Sequence, residues 1–184
     1  MSSPLSSYAA LHRQSEADAR RLAETLPESA LSWKPSPGAW SAVECLAHLN
    51  AVAAQCLPPL ETAVRDGAKR GQGPFAYGRM AGTLRRALSP GSPPQRTNSS
   101  LDPARGRSAP PPRLAETLDL FSASVDRYLA VCDAADGLDL ARIKVRNPFT
   151  SPLRLELGAL LDITALHAQR HLAQAELTAR AAYP

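Results

Sequence analysis

Aromatic side chains make up only 5% of this 184-residue chain, and β-branched residues are sparse. Both classes are the usual material of pleated sheet. Their scarcity, beside a hydrophobic fraction of 44% rich in Ala and Leu, argues against a sheet-based core and for an all-α chain. No stretch approaches the roughly 18 consecutive apolar residues of a membrane span. The opening MSSPLSSYAALHRQSEADARR lacks the basic start and apolar run of an export signal. The expectation is a soluble, cytoplasmic protein that does not engage a membrane. Cysteine is scarce as well, at three residues. Cys45 and Cys56 on one helix would stand about 16 Å apart, beyond disulfide reach, and Cys132 makes the count odd. Reduced thiols in a cytoplasm fit this pattern.

Acidic residues are almost missing from one region. Between Gly67 and Pro112 there are eight Lys or Arg against a single acid, Asp102, so this stretch carries +7 and the rest of the chain −3 of the net +4. The basicity therefore belongs to a connector. Its basic residues are not regularly interleaved with aromatics for base stacking, so no nucleic-acid partner is expected. The same stretch holds eight of the 17 prolines and seven of the ten glycines. It is expected to be a long, mobile connection, with Met80, Leu84 and Leu88 at helical spacing marking a short helix across the bundle.

Outside 67–112 the chain, read as one domain over 1–184, shows four helical stretches. The first runs from Ser6 to Leu26, with Tyr8, Leu11, Ser15, Ala19, Leu22 and Leu26 on one face, and ends before Pro27. Pro35, Pro37 and Gly38 make Leu31 to Trp40 a turn, with Trp33 and Trp40 as core anchors. Ser41 and Glu44 form the signature of a capping box at the start of the second helix. Its inward face is Cys45, His48 or Leu49, Val52, Cys56 and Leu60, and Pro58-Pro59 should kink it or start a new segment before it fades by Gly67. The third spans Leu114 to Ala135, with Phe121, Val125, Tyr128 and Cys132 inward. After the extended LDLARIKVRNPF, Ser151 would cap the last helix and Pro152 occupy its first turn, and the helix would run to Ala179.

Two of the four histidines in the chain stand one helical turn apart in HAQRH, and residues four apart face the same way. The face carrying Leu153, Leu157, Leu160, Thr164, His167, His171 and Gln174 turns both rings inward, and a buried imidazole requires a partner. His48 offers a third ring from the second helix. Three neutral imidazoles with one open position form the donor set of a reactive zinc or nickel site. The plainer alternative is a chance pair on a helix surface. His12 lies at the edge of its stripe and reads as a surface or hydrogen-bonded residue. Cys45 shares a face with His48 and is either a soft ligand or a small buried residue. Glu44 either caps or orients His48. Ala168 stands where a zinc protease helix carries its general-base Glu, which argues against peptidase chemistry. No glycine loop has the spacing for a phosphate.

Three segments, LSWKPSPGAWSAVECLAHL, LDLARIKVRNPF and LRLELGALLDITALHAQRHLAQAE, resemble the DinB-like (DinB/YfiT) family of metal-binding four-helix bundles. The resemblance covers most of the chain outside 67–112. It implies a bundle with an unusual helix order and a histidine triad that transfers onto His48, His167 and His171. The interior of HAQRH departs from the His-Glu-Arg-Arg-His form of related members. Some similar proteins transfer or isomerise groups with a low-molecular-weight thiol such as bacillithiol or mycothiol, which implies a metal-dependent thiol S-transferase acting on a small-molecule substrate. The basic connector would then either contact an acidic thiol or simply carry solvated charge. Two rival readings are a metal-dependent hydrolase and a non-enzymatic, stress-associated metal-binding bundle that forms a homodimer.

Overall fold

The computed structural model describes residues 4–93, 101–103, 111–149 and 152–183. Six helices, α1 (Pro4–Thr25), α2 (Glu28–Ser32), α3 (Ala42–Arg65), α4 (Arg79–Leu88), α5 (Leu114–Ala134) and α6 (Leu157–Ala182), accompany two short strands, β1 (Lys144–Arg146) and β2 (Arg154–Glu156). The fold is all-α. Its four long helices are those expected. Both α1 and α3 pack on α5 and on α6, so α1 and α3 sit on opposite corners of the bundle, and α4 lies on α6.

The capping box forms as the sequence implies. The Ser41 side chain accepts from the Glu44 backbone N–H at 3.2 Å, and Glu44 Oε2 accepts from the Ser41 N–H at 2.8 Å. Lys34 completes the arrangement by donating to Glu44 Oε1 at 2.7 Å. The entry of α3 is thereby fixed, and with it the direction of the face bearing His48.

Several expectations change. Pro58 and Pro59 neither end α3 nor start a new segment. The carbonyls they deprive of a donor belong to Ala54 and Gln55, on the outer side of the helix where water can serve them, while Cys56, Leu57 and Leu60 are buried and hold the backbone in place. Between Pro27 and the expected turn the chain forms a short helix, α2, which takes in the first two residues, Leu31 and Ser32, of the stretch expected to turn. The last helix does not begin at Pro152. Residues 154–156 instead pair antiparallel with 144–146, Val145 opposite Leu155, and α6 starts at Leu157. A ladder of three pairs and an ion pair of 2.6 Å between Lys144 and Glu156 keep this segment extended. The proposed cap, Ser151, lies outside the described residues. Trp33 is not a core anchor, being 39% exposed.

The described part of the connector is fastened rather than loose. The Arg85 Nε–H donates to Asp162 at 2.5 Å, and Arg170 donates to the carbonyls of Ala87 and Pro93 and to the Ser92 hydroxyl. The hydroxyls of Tyr8 and Tyr77 meet at 3.2 Å. Within α4, Ala81 is buried and Leu84 and Leu88 pack on the core, whereas Met80 points outward.

The apolar core falls into two clusters. One contains Tyr8, Val52, Tyr128 and Ile163, and the other Ala19, Leu49, Val125 and Ala168. Where they meet, each cluster ends and polar side chains take over: His12 and Ser15 on α1, His48 on α3, and Thr164, His167 and His171 on α6. This polar layer carries the candidate site.

At the first turn of α6, a Cβ on Gly158 would stand 2.0 Å from the Tyr77 hydroxyl oxygen and 2.9 Å from Leu140 Cβ. Gly158→Ala gains about 1 kcal/mol of helix propensity but forces Tyr77 away from Tyr8, an overpacking cost of about 1–3 kcal/mol. The expected result is a lower urea midpoint with an unchanged slope. A higher midpoint would contradict the close packing of Tyr77 on α6.

Candidate functional site

The histidines of α3 and α6 converge. His48 Nε2 lies 3.1 Å from His167 Nε2, and the ligating atoms of His48, His167 and His171 all fall within 4.8 Å of one another. The ring centroids are 4.5–5.3 Å apart, each pair inclined at 61–79°. Rings set edge to face in this way do not stack; they aim nitrogens at a shared point. His48 and His171 are buried, at 3% and 7% exposure.

The tautomer of His48 follows from its second nitrogen. Nδ1 lies 2.8 Å from the Leu101 carbonyl, which only accepts, so Nδ1 carries the proton and Nε2 presents its lone pair to the cluster. The cluster is also held uncharged. Burial pushes His167 down to about 3 and His171 to about 2, with the neighbouring imidazoles and Arg170 adding to the effect. His48 is lowered by burial too, against opposition from the Leu101 hydrogen bond and Asp102. Neutral imidazoles are the form that coordinates a metal. Nδ1 of His167 and Nδ1 of His171 are buried without a hydrogen-bond partner among the described residues. A set of three neutral nitrogen donors at this spacing could hold a divalent ion.

The three rings stand on the wall of a cavity of about 880 Å³. Its lining is mixed, with apolar Val52, Leu84, Leu88, Leu155 and Leu160 and polar Asp102, Asn147, Arg170 and Gln174. Three contributors, Trp40, Leu101 and Asp102, escaped sequence reasoning. The Trp40 ring, expected only as an anchor, lies over His48 at 4.8 Å and His171 at 5.7 Å, and its Nε1–H donates to Asp102 at 3.0 Å. Leu101 and Asp102 belong to the connector, which was expected to be long and mobile apart from a short helix near Met80, Leu84 and Leu88. No local periodicity marks them, because their role depends on a contact 53 residues distant in the chain.

Other candidates resolve differently. Glu44 is occupied by the capping box and Lys34. Cys45 is fully buried and does not join the cluster, and burial raises its thiol to about 12. His12 is not at the surface: it is 2% exposed and stacks on Tyr128 at 4.3 Å with the planes 8° apart.

Fold and site together define a helical-bundle protein with a buried three-imidazole centre. A family model described as the DinB superfamily matches residues 11–175, and the chain belongs to that superfamily. No curated protein and no solved structure matches it. Among the described residues no helix is long and apolar enough to cross a membrane.

Burial makes His12 an acid-sensitive element of the metal-free protein. Its imidazole titrates near 6.5 when free and is pushed down to about 4 in the fold. Above 6.5 both states are neutral and the full contribution to stability is present. As pH falls from 6.5 to 4 the unfolded chain takes up a proton that the folded chain refuses, and about 3 kcal/mol is lost. Site histidines titrate in the same direction. Urea unfolding across this range should show a steeper loss for the parent than for His12→Phe. Parallel curves would contradict the burial of His12.

Proposed function

We propose that His48, His167 and His171 bind one divalent ion, zinc or nickel, and that the loaded protein is a thiol S-transferase using a low-molecular-weight thiol such as bacillithiol or mycothiol. The observation that carries the reading is the convergence of three neutral imidazoles on the wall of a cavity large enough for a small molecule. When bound, such an ion favours thiolate over thiol and acidifies water, so it supplies a nucleophile at neutral pH.

The chain's own residues account for the rest. The Leu101 carbonyl orients His48, and Trp40 screens two of the three rings on one side. Val52, Leu84, Leu88, Leu155 and Leu160 offer apolar contacts to the body of an electrophile, and Asn147 and Gln174 offer polar ones. The protein does not supply the sulfur itself. Cys56 lines the cavity, but burial pushes its thiol up to about 12, so it stays protonated and a weak nucleophile. A soluble thiol fills that role. In the reaction the thiolate sulfur bonds to the electrophilic carbon while the carbon–halogen bond breaks and halide departs. Three free, buried cysteines suit a reducing compartment, and we place the protein in the cytoplasm.

Asp102 favours a second reading. Its carboxylate lines the same cavity and lies close enough to act on His48, where it could take a proton from water, as a hydrolase requires. One set of measurements separates the readings. Freshly purified protein should carry one zinc or nickel per chain, and the His48→Ala, His171→Ala double variant should carry none. Metal content that is substoichiometric in the parent and unchanged in the variant would end both enzymatic readings. A chlorinated aromatic should be consumed by the loaded protein only when thiol is added. Consumption without thiol would favour hydrolysis, and no consumption under either condition would leave a metal-binding bundle.

A further inference from the structure

Asn147 follows β1 directly and precedes Pro148. A residue before proline is biased to extended backbone, and an asparagine can bond the N–H two residues on through its own side chain. Here the Asn147 backbone N–H donates to the Leu153 carbonyl at 3.0 Å, which carries the β1–β2 pairing one residue further. The Phe149 N–H donates to Asn147 Oδ1 at 2.9 Å. Only the oxygen of a carboxamide can accept from an N–H, so the side chain cannot be turned over and Nδ2 has one place to be.

Asn147 is 6% exposed, and it lines the cavity of about 880 Å³ that the three histidines also line. The side-chain oxygen is spent within the loop. Nδ2 has no partner among the described residues, yet it is not one of the buried atoms sealed away unmet, which are His12 Nε2, Asn50 Oδ1, His167 Nδ1 and His171 Nδ1. An amide nitrogen of fixed orientation therefore stands open to the cavity with its protons unused.

The charged groups among the described lining residues narrow what it can meet. Both terminal nitrogens of Arg170 are engaged, by the Ala87 and Pro93 carbonyls and the Ser92 hydroxyl, so Arg170 does not serve an anion. Asp102 shares the lining and repels one. Phe149, Leu155 and Leu160 supply apolar surface.

We propose that Asn147 is a specificity-determining residue of this cavity, whose Nδ2–H donates to an uncharged oxygen acceptor of carbonyl type on an otherwise apolar small molecule. This names a substrate class for the site read above as a transferase centre. It rests on that cavity being the ligand site and needs neither the ion nor the thiol.

The test uses the full chain without metal, labelled with ¹⁵N, and two probes of one shape: acetophenone, which carries a carbonyl, and 2-phenylpropene, which does not. The indole N–H of Trp40, in the cavity lining, reports occupancy in parent and variants alike. In the parent, acetophenone should move the Asn147 side-chain amide resonances downfield and 2-phenylpropene should not. Benzoate should bind about tenfold more weakly than acetophenone. Asn147→Asp keeps the acceptor for the Phe149 N–H, and with it the loop, but puts an oxygen where the donor was. The ratio of acetophenone to 2-phenylpropene affinity should fall about tenfold in this variant, and about 2–10-fold in Asn147→Ala, which lacks both groups. Taking the ratio cancels any general loosening of the loop. An Asn147 amide that acetophenone leaves unmoved, benzoate bound as tightly as acetophenone, or a ratio unchanged in both variants would overturn the proposal while leaving zinc binding and thiol-dependent turnover where they stand. A parent that takes up no zinc yet holds acetophenone through Asn147 would end the metal reading and support this one.

Discussion

Placing three imidazoles at one point inside a helical bundle is the constraint from which the rest of this structure follows. Polar rings leave water only if their nitrogens find something else to bond. A charged ring is excluded by the low polarity of the interior and by its neighbours. Between the two apolar clusters the protein therefore interposes a layer of polar side chains, and several contacts serve that layer. The Leu101 carbonyl meets His48. Gln169 ties α6 to α1 through the Leu11 carbonyl at 3.0 Å and the Ser15 hydroxyl at 2.9 Å. The nitrogens that remain belong to His167, His171 and His12.

The helices position this layer by ordinary means. Ser41, Glu44 and Lys34 set the start of α3 about two turns before His48, so the ring reaches the bundle interior at a fixed height. Strand pairing between 144–146 and 154–156 sets the start of α6, and the close approach of Tyr77 to Gly158 pins that end against the connector. Two local devices at the helix starts thus determine where side chains seven and ten residues further on will meet.

How much of this was visible in the residues depends on the range of the interactions. His48, His167 and His171 stood out because one-turn spacing on an apolar stripe is a local pattern, and the resemblance to the DinB-like family rested on the same segments. The four long helices and the capping box were legible for the same reason. Short strands of three residues carry too little periodicity to announce themselves, so β2 read as the first turn of a helix. Pro58 and Pro59 suggested a break because sequence alone does not reveal that the carbonyls they orphan face outward. Asp102 belongs to the site only through contacts spanning many residues, and Trp40, although it stood in a segment that carried the resemblance, reaches His171 and Asp102 by contacts no local spacing reveals. His12 sat one position off the stripe assigned to α1; the true inward face runs through Leu5, Tyr8, Ala9, His12 and Ser15.

The contact between His48 and the backbone at position 101 bears on how such a site can vary. A ring held by a peptide oxygen does not depend on which amino acid supplies it. Substitution at 101 leaves the acceptor in place, whereas inserting or deleting residues on either side shifts it. For the contact to His48, then, it is chain length and path around position 101 that the centre constrains, and a comparison of homologues by identity alone would overlook this.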